Sequence, residues 1–423
     1  MNFGEAEIYL YALGNEVSAM KLGLENIRKL LAALGNPQNN FLKVQVAGTN
    51  GKGSVCMFLD SICNTAGIRT GTFTSPHLIS ITERIRINGT DIGEEDFARH
   101  ATLVRETSER LLAESNLDYL PTFFEQVTAI ALIAFAEAKV EFAILETGLG
   151  GRLDATTAAN AEIAAITQID YDHQVYLGET LAEIAAEKAA IIHEGSRVVT
   201  AEQTDAADKV IRDRCDHFGI NAKSAAEVRT TCGSGWLKFE TERAAYEIKN
   251  LGLLGRHQIE NAIVSILLAE ALKEYLPIDE ANIISGLQNA RHSGRLEFSG
   301  RYLFDGAHNI AGAKALRAFL DEFVTQPITM IFGAMRDKQI AEIAEILFPK
   351  ATNLILTRPD NSRAMTAVEI AKYAGDQKNV TLTENVPDAL RQAQMVSKDE
   401  TIILVTGSLY LVGEVKKILA ASR

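Results

Sequence analysis

Cysteine is scarce. Cys56, Cys63, Cys215 and Cys232 are scattered with no C-x-x-C pair, which excludes a disulfide framework and fits idle thiols in a reducing compartment. Long apolar runs are missing too. The most apolar window, Val127 to Leu145, is interrupted by Glu137, Lys139 and Glu141, so it does not span a bilayer. Met1 to Leu13 carries Glu5 and Glu7 and no basic start, so no secretory signal is expected. Positive charge is outweighed: 42 Lys and Arg against 55 Asp and Glu leave a formal net charge of −13. That argues against a general nucleic-acid surface or an anionic membrane as partner. No low-complexity segment or short-period repeat is evident. The expectation is a soluble, cytoplasmic protein, and 423 residues suffice for two or three domains.

What the chain does have is centred on Gly48-Thr49-Asn50-Gly51-Lys52-Gly53-Ser54. An apolar run, Leu42 to Val46, precedes it as a strand, and Val55 to Ala66 follows as an amphipathic helix. Strand, glycine-rich turn, lysine, hydroxyl and helix in that order build an anion cradle. Backbone N–H groups face phosphates, Lys52 adds a point charge, and Ser54 offers an oxygen to Mg²⁺. The common G-x-x-x-x-G-K-[ST] spacing is not met, because two residues separate Gly48 from Gly51 and Gly53 intervenes before Ser54.

Other stretches are arranged around this turn. Residues 5–34 are expected to be helical, with Leu22, Leu24, Ile27, Leu30 and Leu31 as an apolar stripe. Thr70 to Phe73 predicts a strand leading into Thr74-Ser75-Pro76-His77-Leu78; taken alone, Ser75 is a turn residue. Ile85 to Ile87 predicts another strand, and Glu94–Ser115 and Pro121–Ala138 predict helices. Val140 to Leu145 is a buried strand that delivers Glu146 to its C-terminal end, where α/β sheets bind ligands. Thr147-Gly148-Leu149-Gly150-Gly151-Arg152-Leu153-Asp154 follows as a loop. Ala161 to Thr167 repeats the pattern and ends near Asp170-Tyr171-Asp172-His173. Thr180 with Glu183 has capping-box spacing and opens a helix through Lys188, which by pattern alone is a solvated lysine. Val198 to Glu240 shows only alternating strand and helix.

Ala262–Tyr275 predicts a long helix with Asn261 near its start, where a cap is the ordinary role. Gly286–Arg295 is polar and predicts a linker. Beyond it, strand-like runs at Tyr302–Phe304, Ile328–Phe332, Asn353–Leu356, Val380–Leu382 and Ile402–Val405 alternate with helices, a separate α/β unit. Its first strand ends at Asp305-Gly306-Ala307-His308-Asn309, again a ligand position.

Gly-Thr-Asn-Gly-Lys-Gly-Ser, Thr-Ser-Pro-His-Leu, Glu-Thr-Gly-Leu-Gly-Gly-Arg-Leu-Asp-Ala-Thr, Asp-His with Glu-Lys-Ala fifteen residues on, Gly-Arg-Leu-Glu and Asp-Gly-Ala-His-Asn occur in one order, from about Gly23 to Gly407. The ordered set resembles folylpolyglutamate synthase, including its bifunctional form with dihydrofolate synthase activity, within the wider Mur ligase group. The resemblance implies an α/β fold: a P-loop NTPase-like domain of the Mur ligase central type over residues 1–296, and a smaller Rossmann-like domain over 297–423. It implies ATP as cosubstrate, two Mg²⁺ sites, folate or dihydropteroate and L-glutamate as substrates, and a monomer.

The roles that the resemblance carries over are these. Gly48, Thr49, Asn50, Gly51, Lys52, Gly53 and Ser54 hold the ATP phosphates. Asn261, Arg295, Asp305 and His308 contact ATP from across the domain boundary. Ser54, Ser75 and Glu146 serve one Mg²⁺, and His173 a second that Glu146 is placed to share. The lysine matching Lys188 is carbamylated in the family, which reverses the solvated reading. Thr122, Phe124, Leu153, Asp154 and Ala155 match a region holding the pterin. His308 or Asp305 is a candidate to take the proton from the attacking amine. The implied chemistry is acyl-phosphate formation followed by attack of the glutamate amine.

The chain departs from the family pattern at Thr157, where Asn is common, and at Ala189-Ala190, where Gly often follows. His292-Ser293 and Gln339 also depart from it. These bear on substrate preference rather than on reaction class. Two rivals are a Mur-type ligase acting on a nucleotide-linked peptidoglycan precursor, and a nucleotide switch that hydrolyses ATP without joining substrates. Gly53-Ser54 and Thr74 to Leu78 favour the folate branch.

Overall fold

The computed structural model describes residues 1–14 and 23–421. Contacts divide the chain into two compact units. The first comprises Met1–His77, Ile81–Gly252 and Glu260–Arg291; the second comprises Leu78–Ser80, Leu253–Ile259 and His292–Arg423.

The first unit is built on an eight-stranded sheet. Its strands are β1 (Leu42–Ala47), β2 (Thr70–Phe73), β3 (Ile85–Ile87), β4 (Thr90–Asp91), β5 (Phe142–Glu146), β6 (Ile163–Ile166), β7 (Arg197–Thr200) and β8 (Lys223–Ser224). They lie in the order β4-β3-β2-β5-β1-β6-β7-β8. From β2 to β8 all neighbours are parallel, and β3 and β4 close one edge antiparallel. Apart from half-buried Leu42, the central strands are buried throughout, as expected of parallel strands covered on both faces. Register pairs Val46 with Glu146 and Ala47 with Ile166, so the loops after β1, β2, β5 and β6 leave from one edge of the sheet.

Helices Phe3–Ala12 and Glu25–Ala33 are separate, with Leu13 and Leu34 as their C-caps. The expected single helix over 5–34 is therefore divided; residues 15–22, Leu22 among them, lie outside the described residues. The helix Lys52–Thr65 is buried over most of its length. Against it packs the helix Glu280–Asn289. A Cβ at Gly286 would lie 2.4 Å from Ile62 Cα, and Ser61 Oγ donates to Gly286 O at 2.7 Å. Residues 286–289, expected in the linker, are thus part of a packed helix. A second correction concerns the helix expected from Ala262: it begins at His257, so Asn261 sits inside it and is not its cap.

A three-stranded antiparallel sheet, β9 (Arg229–Gly233), β10 (Trp236–Glu240) and β11 (Ala245–Ile248), completes the unit. Phe239, Tyr246 and Ile248 are its buried residues, and Tyr246 Oη donates to Glu270 Oε1 at 2.8 Å.

The second unit has six strands: β12 (Glu297–Ser299), β13 (Tyr302–Phe304), β14 (Ile328–Phe332), β15 (Asn353–Leu356), β16 (Val380–Leu382) and β17 (Ile402–Thr406). Their order is β12-β13-β17-β14-β15-β16, parallel except for the β12–β13 hairpin. Alternation divides its core: Leu303, Met330, Phe332 and Leu404 face one layer, and Phe304, Ile331, Ile403 and Val405 face the other. Among the described residues no helix is long and apolar enough to cross a membrane.

Candidate active site

The turn after β1 is constrained at both glycines. Gly48 has φ +153°, and a Cβ there would stand 1.8 Å from Thr167 Oγ1; Gly51 has φ +91°, and a Cβ would stand 2.3 Å from Asn261 Oδ1. Only glycine accepts both the backbone angle and the approach. Thr49 N and Asn50 N donate to Gln168 O at 2.9 and 3.2 Å, and Thr49 Oγ1 donates to Asp170 O at 3.0 Å. Two of the turn's amides are therefore anchored to the segment after β6. The next residues open helix Lys52–Thr65, which starts from Gly51 without a side-chain cap, a helix N-terminus of the kind that suits an anion.

Two lysines converge on this turn. Lys52 Nζ donates to Gly48 O at 3.1 Å and to Thr49 O at 3.2 Å, while Lys188 Nζ donates to the same Gly48 O at 2.8 Å. Lys188 is 4% exposed. The solvated lysine that the local pattern suggests is thus overturned, because Ile184, Ala185, Lys188 and Ala189 form the buried face of helix Leu181–Ala189. Burial and the charge of Lys52 push the Lys188 amine down to about 7, against the pull of Asp172 and Asp154. A buried amine that titrates near neutrality is a nucleophile at physiological pH.

Glu146, 5% exposed at the end of β5, accepts from Ser75 N at 3.0 Å. Ser75 and Glu146 are therefore brought together; Ser54 is buried in the first turn of its helix. His173 has φ +51°, and its Nε2 lies 3.9 Å from Asp172 Oδ2. Among the described residues no three His, Cys, Asp or Glu side chains form a ready metal cluster. Hydroxyl and carboxylate oxygens beside an anion cradle nevertheless suit Mg²⁺, which takes one or two carboxylates together with water and substrate phosphates rather than an all-protein cage.

The proposed pterin residues divide by what they touch. Thr122 caps helix Phe123–Glu137 in a capping box with Glu125. Phe124 packs over Gly148, where a Cβ would lie 2.6 Å from its Cζ, and its ring centroid is 5.7 Å from that of Phe73. Asp154 is buried; it accepts from Leu149 N at 2.9 Å, Thr156 N at 3.0 Å and Thr156 Oγ1 at 2.5 Å. Burial raises its carboxyl above the ordinary value. Leu153 is half-buried, and Ala155 belongs to the core beside Phe123.

In the second unit Asp305 is buried and accepts from Leu296 N and Ala307 N, each at 3.0 Å. Burial raises its carboxyl, and Arg295 opposes that shift. His308 Nδ1 lies 2.8 Å from Gly306 O. A carbonyl can only accept, so Nδ1 carries the proton and Nε2 is the basic nitrogen of the neutral ring. His257, unremarked in the sequence, is held down to about 4 by burial and Arg295. Gln168 and Gln45 were also missed; a glutamine within a strand buried on both faces was the visible signal for Gln45.

The Mur ligase middle domain family matches residues 46–269, and the Mur ligase glutamate ligase domain matches residues 294–409. A dihydrofolate synthase/folylpolyglutamate synthase of Bacillus subtilis (strain 168) is 36% identical over 414 residues, covering 95% of each chain. A Mycobacterium tuberculosis folylpolyglutamate synthase, solved with ADP and AMPPCP, superposes with TM-score 0.90 at 29% identity over 99% of both chains. A bifunctional folylpolyglutamate synthase/dihydrofolate synthase solved with Mn, AMPPNP and L-glutamate covers 99% of this chain and 98% of its own, with TM-score 0.86 and 27% identity. With the lysine-bearing glycine turn, the strand-end glutamate and the second α/β unit all in place, the chain belongs to the dihydrofolate synthase/folylpolyglutamate synthase family of Mur ligases.

Proposed function

We propose that this enzyme joins L-glutamate to the carboxylate of a reduced folate, and likewise to dihydropteroate, converting ATP to ADP and phosphate. The observation that carries the reading is the convergence of Lys52 and Lys188 on the Gly48 carbonyl, beneath a turn closed to any side chain at Gly48. The B. subtilis relative bears both activities in its name, which supports the dual substrate.

Lys52 and the opening amides of its helix hold the β- and γ-phosphates. Ser54, Ser75 and Glu146 would hold one Mg²⁺, and His173, with Glu146, would hold a second. The metal, when bound, screens the phosphates and polarises the γ-phosphoryl group. Lys188, as its neutral amine, adds to the carbon of CO₂: a C–N bond forms as one C=O π bond opens onto oxygen, one amine proton leaves to solvent, and the side chain becomes an anionic carbamate. Asn261, Arg295 and Asp305 are assigned to the nucleotide. Thr122, Phe124, Leu153, Asp154 and Ala155 are assigned to the pterin. The pteroate or folate carboxylate oxygen attacks the γ-phosphorus and ADP departs, leaving an acyl phosphate. The L-glutamate amine then attacks that acyl carbon, phosphate departs, and His308 Nε2 takes the amine proton. The thiols of Cys56, Cys63, Cys215 and Cys232 are unpaired, which supports a cytoplasmic site of action, and the enzyme is expected to work as a monomer.

The test is ADP release with Mg·ATP and L-glutamate beside dihydropteroate, tetrahydrofolate or neither. Glutamate-dependent turnover with both pterins is expected. Turnover with tetrahydrofolate alone restricts the enzyme to polyglutamylation. ADP release without any pterin overturns the ligase reading.

A further inference from the structure

Gln45 is a polar residue in the middle of the central strand β1, 2% exposed, with no place in the reaction described above. Its Nε2 donates to Thr156 Oγ1 at 2.9 Å and to Thr157 Oγ1 at 2.7 Å, with Thr147 Oγ1 further off at 3.3 Å. Both near hydroxyls have already committed their single proton. Thr156 Oγ1 donates to Asp154 Oδ1, and Thr157 Oγ1 donates to Gly151 O at 2.7 Å. Each must therefore accept from Gln45, and the two amide protons are used one apiece. The result is two hydrogen-bond chains from one side chain. The first runs through Thr156 to the Asp154 carboxylate and on to the Leu149 amide. The second runs through Thr157 to Gly151, where a Cβ would lie 2.7 Å from Glu187 O and 2.9 Å from Lys188 O. Arg152 N donates to that same Glu187 O at 2.9 Å.

We propose that Gln45 is a positioning residue that holds the 147–157 loop in one piece and thereby sets Glu146, at the loop's start, relative to Lys188, against its middle. The inference rests on the functional reading only for what Glu146 and Lys188 do; the loop restraint is a statement about the fold. Gln45 is the sole donor the two hydroxyls are given among the described contacts, so its loss releases both chains together.

Gln45→Leu keeps the volume and removes the amide. Hydrogen exchange of the Leu149 and Arg152 amides should accelerate by about tenfold or more, while amides of the β9–β11 sheet are unchanged. In the same variant the Mg²⁺ concentration for half-maximal ADP release should rise by about tenfold, measured per active enzyme. A defect of folding alone would lower the active fraction and leave that midpoint where it was. Should Gln45→Leu not fold, Thr157→Val and Thr157→Ser test the second chain: Val should reproduce the Arg152 exchange and Mg²⁺ effects while leaving Leu149 exchange unchanged, and Ser should restore both. Adding Thr157→Val to Gln45→Leu should cost little more than Gln45→Leu alone, because Thr157 lies on one of the two chains that Gln45 anchors. Unchanged loop exchange in Gln45→Leu, or multiplying effects in the double variant, overturns the proposal. Wild-type protein without glutamate-dependent turnover overturns the ligase reading instead, and the exchange data still decide the loop.

Discussion

The loops that follow β1 and β5 leave neighbouring strands at one edge of the sheet, yet they are held in opposite ways. The Gly48–Ser54 turn is fixed by backbone: two glycines at positive φ and two amides on Gln168 O. The 147–157 loop is fixed by side chains, with Asp154, Thr156, Thr157 and Gln45 forming its restraints. A turn held by its backbone tolerates no added atom. A loop held by side chains tolerates added atoms in places and fails when a hydrogen bond is lost.

The contrast can be broken first at Lys52. Lys52→Met should reduce ADP release by about 10³-fold with little change in melting temperature; a loss below tenfold would remove Lys52 from the phosphates. Gly48→Ala should cost about 10²-fold through misplacement of the turn, and more than Gly51→Ala. Thr167, which meets the new methyl at Gly48, is short and fully buried, whereas the Asn261 amide end can yield at Gly51. Equal losses in the two variants would mean that φ alone governs the turn.

Lys188 provides the next test, through pH. Its folded-state proton leaves near pH 7, whereas an unfolded lysine holds its proton to about pH 10.4. Between those values the unfolded chain binds the extra proton, so stability rises with pH across the window. This group contributes at most about 1.4 kcal/mol per pH unit. Denaturant melts in CO₂-free buffer at pH 7 and pH 9 should show that rise, and Lys188→Met should flatten it. Parallel slopes would place the titration elsewhere. The smallest effect is expected from Thr122→Ala, which removes the capping box of helix Phe123–Glu137 and should cost about 1 kcal/mol in the same melts. If KM for the pterin rises as well, Thr122 touches substrate in addition to capping.

The backbone-held turn was legible in the sequence because its information is local: strand, glycines, lysine and helix follow one another without interruption. The strands of the second unit were legible for the same reason, except β12, whose Glu297-Phe298-Ser299 has no apolar run to mark it. Lys188 was misjudged from charge, although Ile184 one turn earlier already placed it on the buried face. The β9–β11 sheet escaped notice because Arg229 to Gly233 is largely exposed and carries no continuous apolar run. The side-chain-held loop was least legible. Gln45 lies about a hundred residues before Asp154 and Thr157, and no local pattern announces that their hydrogen bonds meet.

The packing of Gly286 on Ile62 has a consequence for how the protein is made. The helix that follows the nucleotide turn emerges early, but the partner that covers it lies 225 residues further along the chain, as the Ser61–Gly286 bond records. At ordinary elongation rates the ribosome needs roughly 10 to 45 s to deliver that partner. Throughout that interval one apolar flank of the nascent nucleotide helix is exposed, which makes this stretch a natural client for chaperones during synthesis.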